Sequence, residues 1–273
     1  VDNVHLIRAD LGVAWRIATL RIRGQMQYPA SFLMQIFGNF IINFAELIVL
    51  FTLFQRFDNL GGWTFGDVLF LHGMSLAMFG IGDTLSQGLK TVPELIREGT
   101  FDRVLVRPMS SFVQALVSEV SLRHLGLLAQ GFLVFGVALR IVDVEWSVAK
   151  ITFLGIVIVS GAAVFLALFT IEAIVSFWTV NSLEAINAFT YGGSDLGQYP
   201  LHIFDQRLRW LFLWIIPVGF LTYYPALYIL NKPDPLGLPG AARFVAPFAA
   251  AAFCAAVAWG WTVAIRHYRS TGS

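Results

Sequence analysis

Three stretches of the chain, 151–171, 210–231 and 244–265, run for 21 or 22 residues without a charged side chain. A helix rises about 1.5 Å per residue, so each stretch is long enough to cross the roughly 30 Å hydrocarbon core of a bilayer. Less clean apolar runs at 30–54, 67–89 and 110–139 read as further spans, and the run from 151 extends to about 179. Backbone in lipid must satisfy its own hydrogen bonds, and the runs lack the ten-residue alternation of an outer-membrane barrel. The pattern predicts an all-α membrane protein.

Ahead of these runs, residues 4–23 carry Val4, Ile7, Leu11, Trp15, Ala18 and Ile22 at steps of three or four, with Arg8, Arg16, Arg21 and Arg23 among them. A helix of that pattern lies in the headgroup layer, its arginines toward anionic lipid. No apolar core with a small-residue cleavage site follows, so no cleaved leader is expected. Residues 180–243 admit two readings. Hydropathy makes 210–231 the fifth span, yet Pro217 and Pro225 break helix ladders there. Alternatively 181–200 spans, with Asn181, Glu184, Asn187, Tyr191, Asp195 and Gln198 forming one wet helical face. Either way six spans result and both termini share a side, which the distribution of Arg and Lys makes the cytoplasmic one.

The most polar segment, 91–107, carries a helix's punctuation. Thr91 and Glu94 have capping-box spacing, Pro93 stands in the first turn and Gly99 can close the helix, which gives a short helix over 92–98. Arg97 and Glu98 would be exposed beside Leu95 and Ile96, followed by Phe101, Asp102 and Arg103 before Pro108 starts the third span. A loop needed only to reverse the chain could be far shorter. This one suits docking into a groove of a cytoplasmic partner.

Polar residues inside the runs are costly in lipid and should face protein or water. Gln35, Asn39, Asn43 and Glu46 fall on one face of the first span; His72, Ser75, Asp83 and Gln87 fall roughly on one side of the second, with Gly80 and Gly82 offering a flexible point. Glu119 and Arg123 stand four apart on the third, where mutual neutralisation explains both. His72 and His124 read as hydrogen-bonded fixtures. Composition agrees with the membrane assignment: 57% hydrophobic, 13% charged and a mean hydropathy of +0.72, against about 25% charge in a soluble domain. A net charge of +1 points to no nucleic-acid partner, and the single Cys254 leaves no disulfide framework or thiolate metal site. Neither a GxxxxGK[ST] phosphate loop nor a GxSxG elbow occurs, so no enzymatic site is read and any ATP would be bound by another polypeptide. An ion-coupled secondary transporter working through Glu46 or Asp83 stays open as the alternative, and an intramembrane enzyme is a further rival.

Stretch 98–108, EGTFDRVLVRP, resembles the loop entering the third span in the ABC-2 type transporter permeases, the membrane subunits of bacterial ABC exporters. Stretch 181–188, NSLEAINA, resembles the start of that family's fifth span. Tyr199-Pro200, Leu208-Arg209-Trp210, Pro217 and Tyr224-Pro225-Ala226-Leu227 resemble its segment before the last span. The resemblance covers nearly the whole chain through loose, hydrophobic motifs.

It implies a single domain over 1–273 with an interfacial helix at 4–23 and spans at 30–54, 67–89, 110–139, 151–179, 181–200 and 244–265. A coupling loop would lie at 91–107 and a re-entrant outer segment at 203–230. It further implies two cytoplasmic ABC ATPase subunits holding ATP and Mg, a second permease copy or related permease, surrounding lipid, and a bacterial inner-membrane location with cytoplasmic termini. Pro93, Glu94, Leu95, Arg97, Glu98, Phe101, Asp102 and Arg103 would contact the ATPase. Asn39, Asn43, Glu46, Asp83, Asn187 and Tyr191 would line the route of an amphiphilic cargo, such as a drug, lipid, antibiotic or glycan.

Overall fold

The computed structural model describes residue 19 and residues 29–119, 121, 124–179 and 183–268. The expected interfacial helix therefore lies outside the described residues apart from Thr19, as do Arg123, Asn181 and Ser182. The described residues form helices joined by turns. In chain order they are α1 (Pro29–Phe54), α2 (Phe65–Ser86), a 3-10 turn (Leu89–Thr91), α3 (Val92–Arg97), α4 (Asp102–Leu105), α5 (Ser111–Ser118), α6 (Leu125–Ile141) and α7 (Val148–Val175). After these come α8 (Leu183–Gly197), a 3-10 turn (Leu201–Ile203), α9 (Gln206–Trp210), a π-helical turn (Leu211–Ile215), α10 (Val218–Leu221), α11 (Tyr223–Ile229), a 3-10 turn (Gly240–Phe244) and α12 (Ala246–His267).

Three helices, α2, α7 and α12, are long and apolar enough to cross a membrane, and a fourth crossing is available if the bent pair Gln206–Ile215 and Val218–Ile229 counts as one. Burial ranks them. The most apolar window of α2 is 83% buried, that of α7 50% and that of α12 22%, so α2 is the axis of the bundle and α12 its rim. A capping box starts α2: Thr64 N donates to Asp67 Oδ2 (2.8 Å) while the Thr64 hydroxyl accepts from Asp67 N. Sequence reading placed its capping box at Thr91 instead. There the hydroxyl turns back to Gly88 O (2.8 Å) and α3 has no side-chain cap.

Glycines bring α2 against its neighbours. A Cβ at Gly73 would stand 2.5 Å from Phe135 N on α6, and one at Gly131 would stand 2.8 Å from Ala77 N on α2. On the α7 side, a Cβ at Gly82 would lie 2.7 Å from Phe165 Cβ. Small residues let backbones meet where lipid supplies no hydrophobic drive between helices. Gly80 and Gly82 thus correct the expectation of a flexible point: they lie inside an unbroken helix and are packing surfaces, with Gly80 closed by Leu128.

Two further expectations change. The apolar run 110–139 is not one helix: α5 ends at Ser118 and Glu119 has extended backbone (φ −137°, ψ 131°). The helical i, i+4 pairing of Glu119 with Arg123 loses its premise, because Glu119 is outside any helix. The run 210–231 is not a straight span either, since its two halves bend by 73° at Ile216–Pro217. Proline removes a ladder donor there, and a π turn closes the first half.

Candidate functional site

The polar loop is built as a clamp with an outward face. Leu89, Val92 and Phe101 are fully buried, and Pro93 is buried beside them. Phe101 packs edge-on against Phe177 (5.2 Å) and Tyr268 (5.3 Å), just beyond the ends of α7 and α12. Phe177 in turn meets Trp261 of α12 at 6.0 Å. Gln114 donates to Val104 O (3.0 Å) and Met109 O (2.7 Å), which ties α4 to α5. Gly99 closes α3 with φ +67°, the left-handed conformation that glycine adopts without strain. Glu94, Arg97, Glu98 and Arg103 are exposed, with Arg97 donating to Glu94 at 2.8 Å; Leu95 and Asp102 are half-buried. Asp102 faces Tyr268, whose hydroxyl is pushed up from its ordinary pKa by burial and then by this carboxylate. Of the eight residues read as partner contacts, Pro93 and Phe101 point into the protein and anchor the loop.

Immediately ahead of the loop lies a buried charge cluster. Asp83, 3% exposed near the end of α2, accepts from Lys90 Nζ at 2.5 Å and pairs with His124 Nδ1 at the start of α6. Gln87 donates to the Asp83 carbonyl at 2.7 Å. The Lys90 ammonium also sits 4.3 Å from the centre of the Phe169 ring on α7 and faces Glu172, which neighbours Asn187 of α8. One lysine in the turn before α3 therefore bears on α2 and α7, and reaches α6 through Asp83 and α8 through Glu172. Asp83, Gln87 and Lys90 follow at steps of four and three, two turns of one face, which is the signal that could have found Lys90. Glu172 was missed because it stands one residue past the uncharged run 151–171. His124, read as a hydrogen-bonded fixture, is paired as such.

The remaining pathway candidates are placed separately. Glu46 on α1 is exposed and electrostatically coupled to Asp195 on α8, and both act on Tyr199. Tyr191, 45% exposed, touches Phe79 (5.4 Å) and Phe169 (6.1 Å). Asn39 and Asn43 lie on α1, but their side chains, like that of Gln35, fall outside the description. His72 is buried beside Gln198, and Ser75 donates to Ser194 O at 2.9 Å, linking α2 to α8. Asp83 and Asn187 share the charge cluster; Glu46 does not join it.

At the other end of α2 the bent pair is locked down. Trp63 stacks on Tyr223 at 5.6 Å, and His202 bridges Gly61 O (2.8 Å) and the Tyr223 hydroxyl (3.1 Å). Lys232 pairs with Asp67 at 2.9 Å and donates to Gly62 O. Lys150 of α7 donates to Ile229 O at 2.9 Å. Gly61 and Gly62, at φ +59° and +84°, make the turn that presents these carbonyls. Among the described residues no group of three or more His, Cys, Asp or Glu could hold a metal ion.

No curated protein and no solved structure matches the chain. The family model described as ABC-2 family transporter protein matches residues 40–272, which takes in the clamped loop, the charge cluster and the bent pair alike. The chain therefore belongs to the ABC-2 transporter family, a transmembrane permease subunit of a kind that associates with an ABC ATPase.

Proposed function

We propose that the chain is one half of an ATP-driven exporter of amphiphilic cargo in a bacterial inner membrane, with both termini cytoplasmic. On this reading it has six spans, at 30–54, 67–89, 110–139 with its helix interrupted at Glu119, 151–179, 181–200 and 244–265. The segment 203–230 re-enters from the outer side as a gate, and the chain pairs with a second permease and two ATPase subunits that bind ATP and Mg. The observation that carries the reading is the loop's construction: apolar residues clamp it to α7 and α12, Lys90 ties it to α2, and its charged face stays exposed. Closure of the ATPase dimer would press on Glu94, Arg97, Glu98 and Arg103. A clamped lever moves what it is clamped to, so the bundle would rock as a rigid body.

Exposed carboxylates at Glu46 and Asp195 support assigning α1 and α8 to the route. Charge at mid-bilayer costs about 2.5–3.5 kcal/mol on insertion scales, so this face should meet water or a partner, not lipid. Asn39, Asn43, Asn187 and Tyr191 would line the same route. The test is crosslinking from Arg97→Cys, in a chain carrying Cys254→Ala, to the co-purified ATPase under turnover. A crosslink that forms only with nucleotide supports the lever; an active complex with no such contact removes it. The same two carboxylates are what an ion-coupled transporter would use, and transport in ATP-free vesicles under an ion gradient would favour that alternative.

A further inference from the structure

Between α7 and α12, beside the start of α5, lies a cavity of about 420 Å³, within the ~300–1,000 Å³ range of small-ligand sites. Ala163 and Leu166 of α7, Val257, Ala258 and Trp261 of α12, and Phe112 of α5 supply apolar walls. The two threonines that line it turn their hydroxyls back onto their own helices: Thr170 donates to Leu166 O (2.8 Å) and Thr262 to Trp259 O (2.7 Å). The cavity offers few groups that could satisfy a polar metabolite or a peptide backbone, and a buried water would find too few partners.

The cavity also has a direction. α7 and α12 run parallel, with Cys254 Sγ meeting Ala163 O at 3.5 Å and, further along, Trp178 meeting His267 at 5.5 Å. One end is therefore Ala163 and Cys254; the other is Thr170, Thr262 and Ser110, about 12 Å away at 1.5 Å per residue of α12. The segments leading on from that second end carry two exposed arginines, Arg266 one helical turn past Thr262 on α12 and Arg107 three residues before Ser110. An apolar slot whose polar end leads into segments with two exposed arginines matches the polarity of an anionic phospholipid, because guanidinium binds phosphate in a bidentate fork.

We propose that the slot holds an acyl chain of an anionic phospholipid from the leaflet on the loop's side, with its phosphate against Arg107 and Arg266. The proposal needs only that α7 and α12 stand in a bilayer, and it is independent of ATP-driven export. The slot's wall is continuous with the clamp: Phe112 meets Trp261 at 5.5 Å, Trp261 meets Phe177, and Phe177 meets Phe101. Filling the slot therefore stiffens the packing on which the loop is seated.

The test places the full chain in nanodiscs of mixed phosphatidylcholine and phosphatidylglycerol, with one lipid or the other brominated on its acyl chains at equal mole fraction, and measures tryptophan quenching. Cys254, the chain's one cysteine, reports from the same wall through its rate of maleimide labelling. Brominated phosphatidylglycerol should quench beyond the phosphatidylcholine level, and Trp261→Phe should remove most of that increment. Phosphatidylglycerol should slow Cys254 labelling several-fold. Ala258→Phe, at an exposed lining position, should abolish the increment at an unchanged unfolding temperature, with Ala258→Leu as the milder filler. Arg107→Gln with Arg266→Gln should erase the preference for the anionic lipid. Equal quenching by the two lipids, an increment that survives Ala258→Phe or Leu, or displacement of the lipid by an exported amphiphile would overturn the proposal.

Discussion

Lys90→Met isolates the ionic half of the loop's attachment. The lysine side chain is 24% exposed and its Asp83 partner 4%, so most of both charges has left water. At 2.5 Å and an effective dielectric near 20, the gross attraction is about 7 kcal/mol, most of it offset by desolvation. Removing one partner leaves the other charge buried, a change that costs about 3–5 kcal/mol in comparable sites. His124 and Gln87 still contact Asp83, which places the expected loss near the lower end, about 3 kcal/mol. Asp83→Asn combined with Lys90→Met removes both charges, and the double variant should be more stable than Lys90→Met alone by at least about 1 kcal/mol. Thermal unfolding in mild detergent reads the stability arm, and transport with ATP turnover in proteoliposomes reads coupling. The double variant should fold yet hydrolyse ATP with little transport. A single variant within about 0.5 kcal/mol of the native chain, or a double variant with full transport, would refute the argument that Lys90 carries force into the bundle.

Gly88→Ala would set a methyl against Ala115 O, so it should cost about 1–3 kcal/mol in unfolding and weaken ATPase association, as read by pull-down of the complex. Arg97→Glu with Arg103→Glu changes exposed side chains only; it should shift stability by less than about 0.5 kcal/mol while cutting ATP-dependent transport in proteoliposomes. Trp63→Ala empties a site 2% exposed and removes the stack on Tyr223, a loss of about 3–5 kcal/mol by thermal unfolding, with the bent pair released to protease before the rest of the bundle.

Length and charge pattern made the membrane helices legible, because crossing hydrocarbon imposes a span length that soluble folds do not need. The short helix after Thr91 was legible too, through Pro93 and Gly99. What the pattern could not supply was which way side chains in the loop turn. Phe101 looks like an exposed knob until Phe177 and Tyr268, about 75 and 165 residues later, are brought to it. The break at Glu119 was hidden because hydropathy reports affinity for lipid, not helix continuity, and 110–139 stays apolar on both sides of it. The partners of the Asp83 carboxylate are Gln87 and Lys90, within two turns along its own face, and His124, brought in from the start of α6. Long-range ion pairs leave almost no trace in a single sequence. Gly73, Gly80 and Gly82 were visible as residues, but only Phe135, Leu128 and Phe165 reveal that they are contact points and not hinges.

That last distinction bears on how a push could reach the end of α2 remote from Lys90. Close-packed interiors have low compressibility, so a displacement at the Lys90 end of α2 cannot be absorbed along glycine contacts that already lack room for a methyl group. α2, α6 and α7 must then move together, and the same α2 carries Asp67 at its far end, paired with Lys232 beyond the bent pair. The two halves of that pair meet at 73° where Pro217 and the π turn leave the ladder broken. A break of this kind is the cheapest place for a rigid unit to yield, so motion conveyed through α2 would be expressed there and along the exposed Glu46 and Asp195 face, and least within the α2–α6–α7 core.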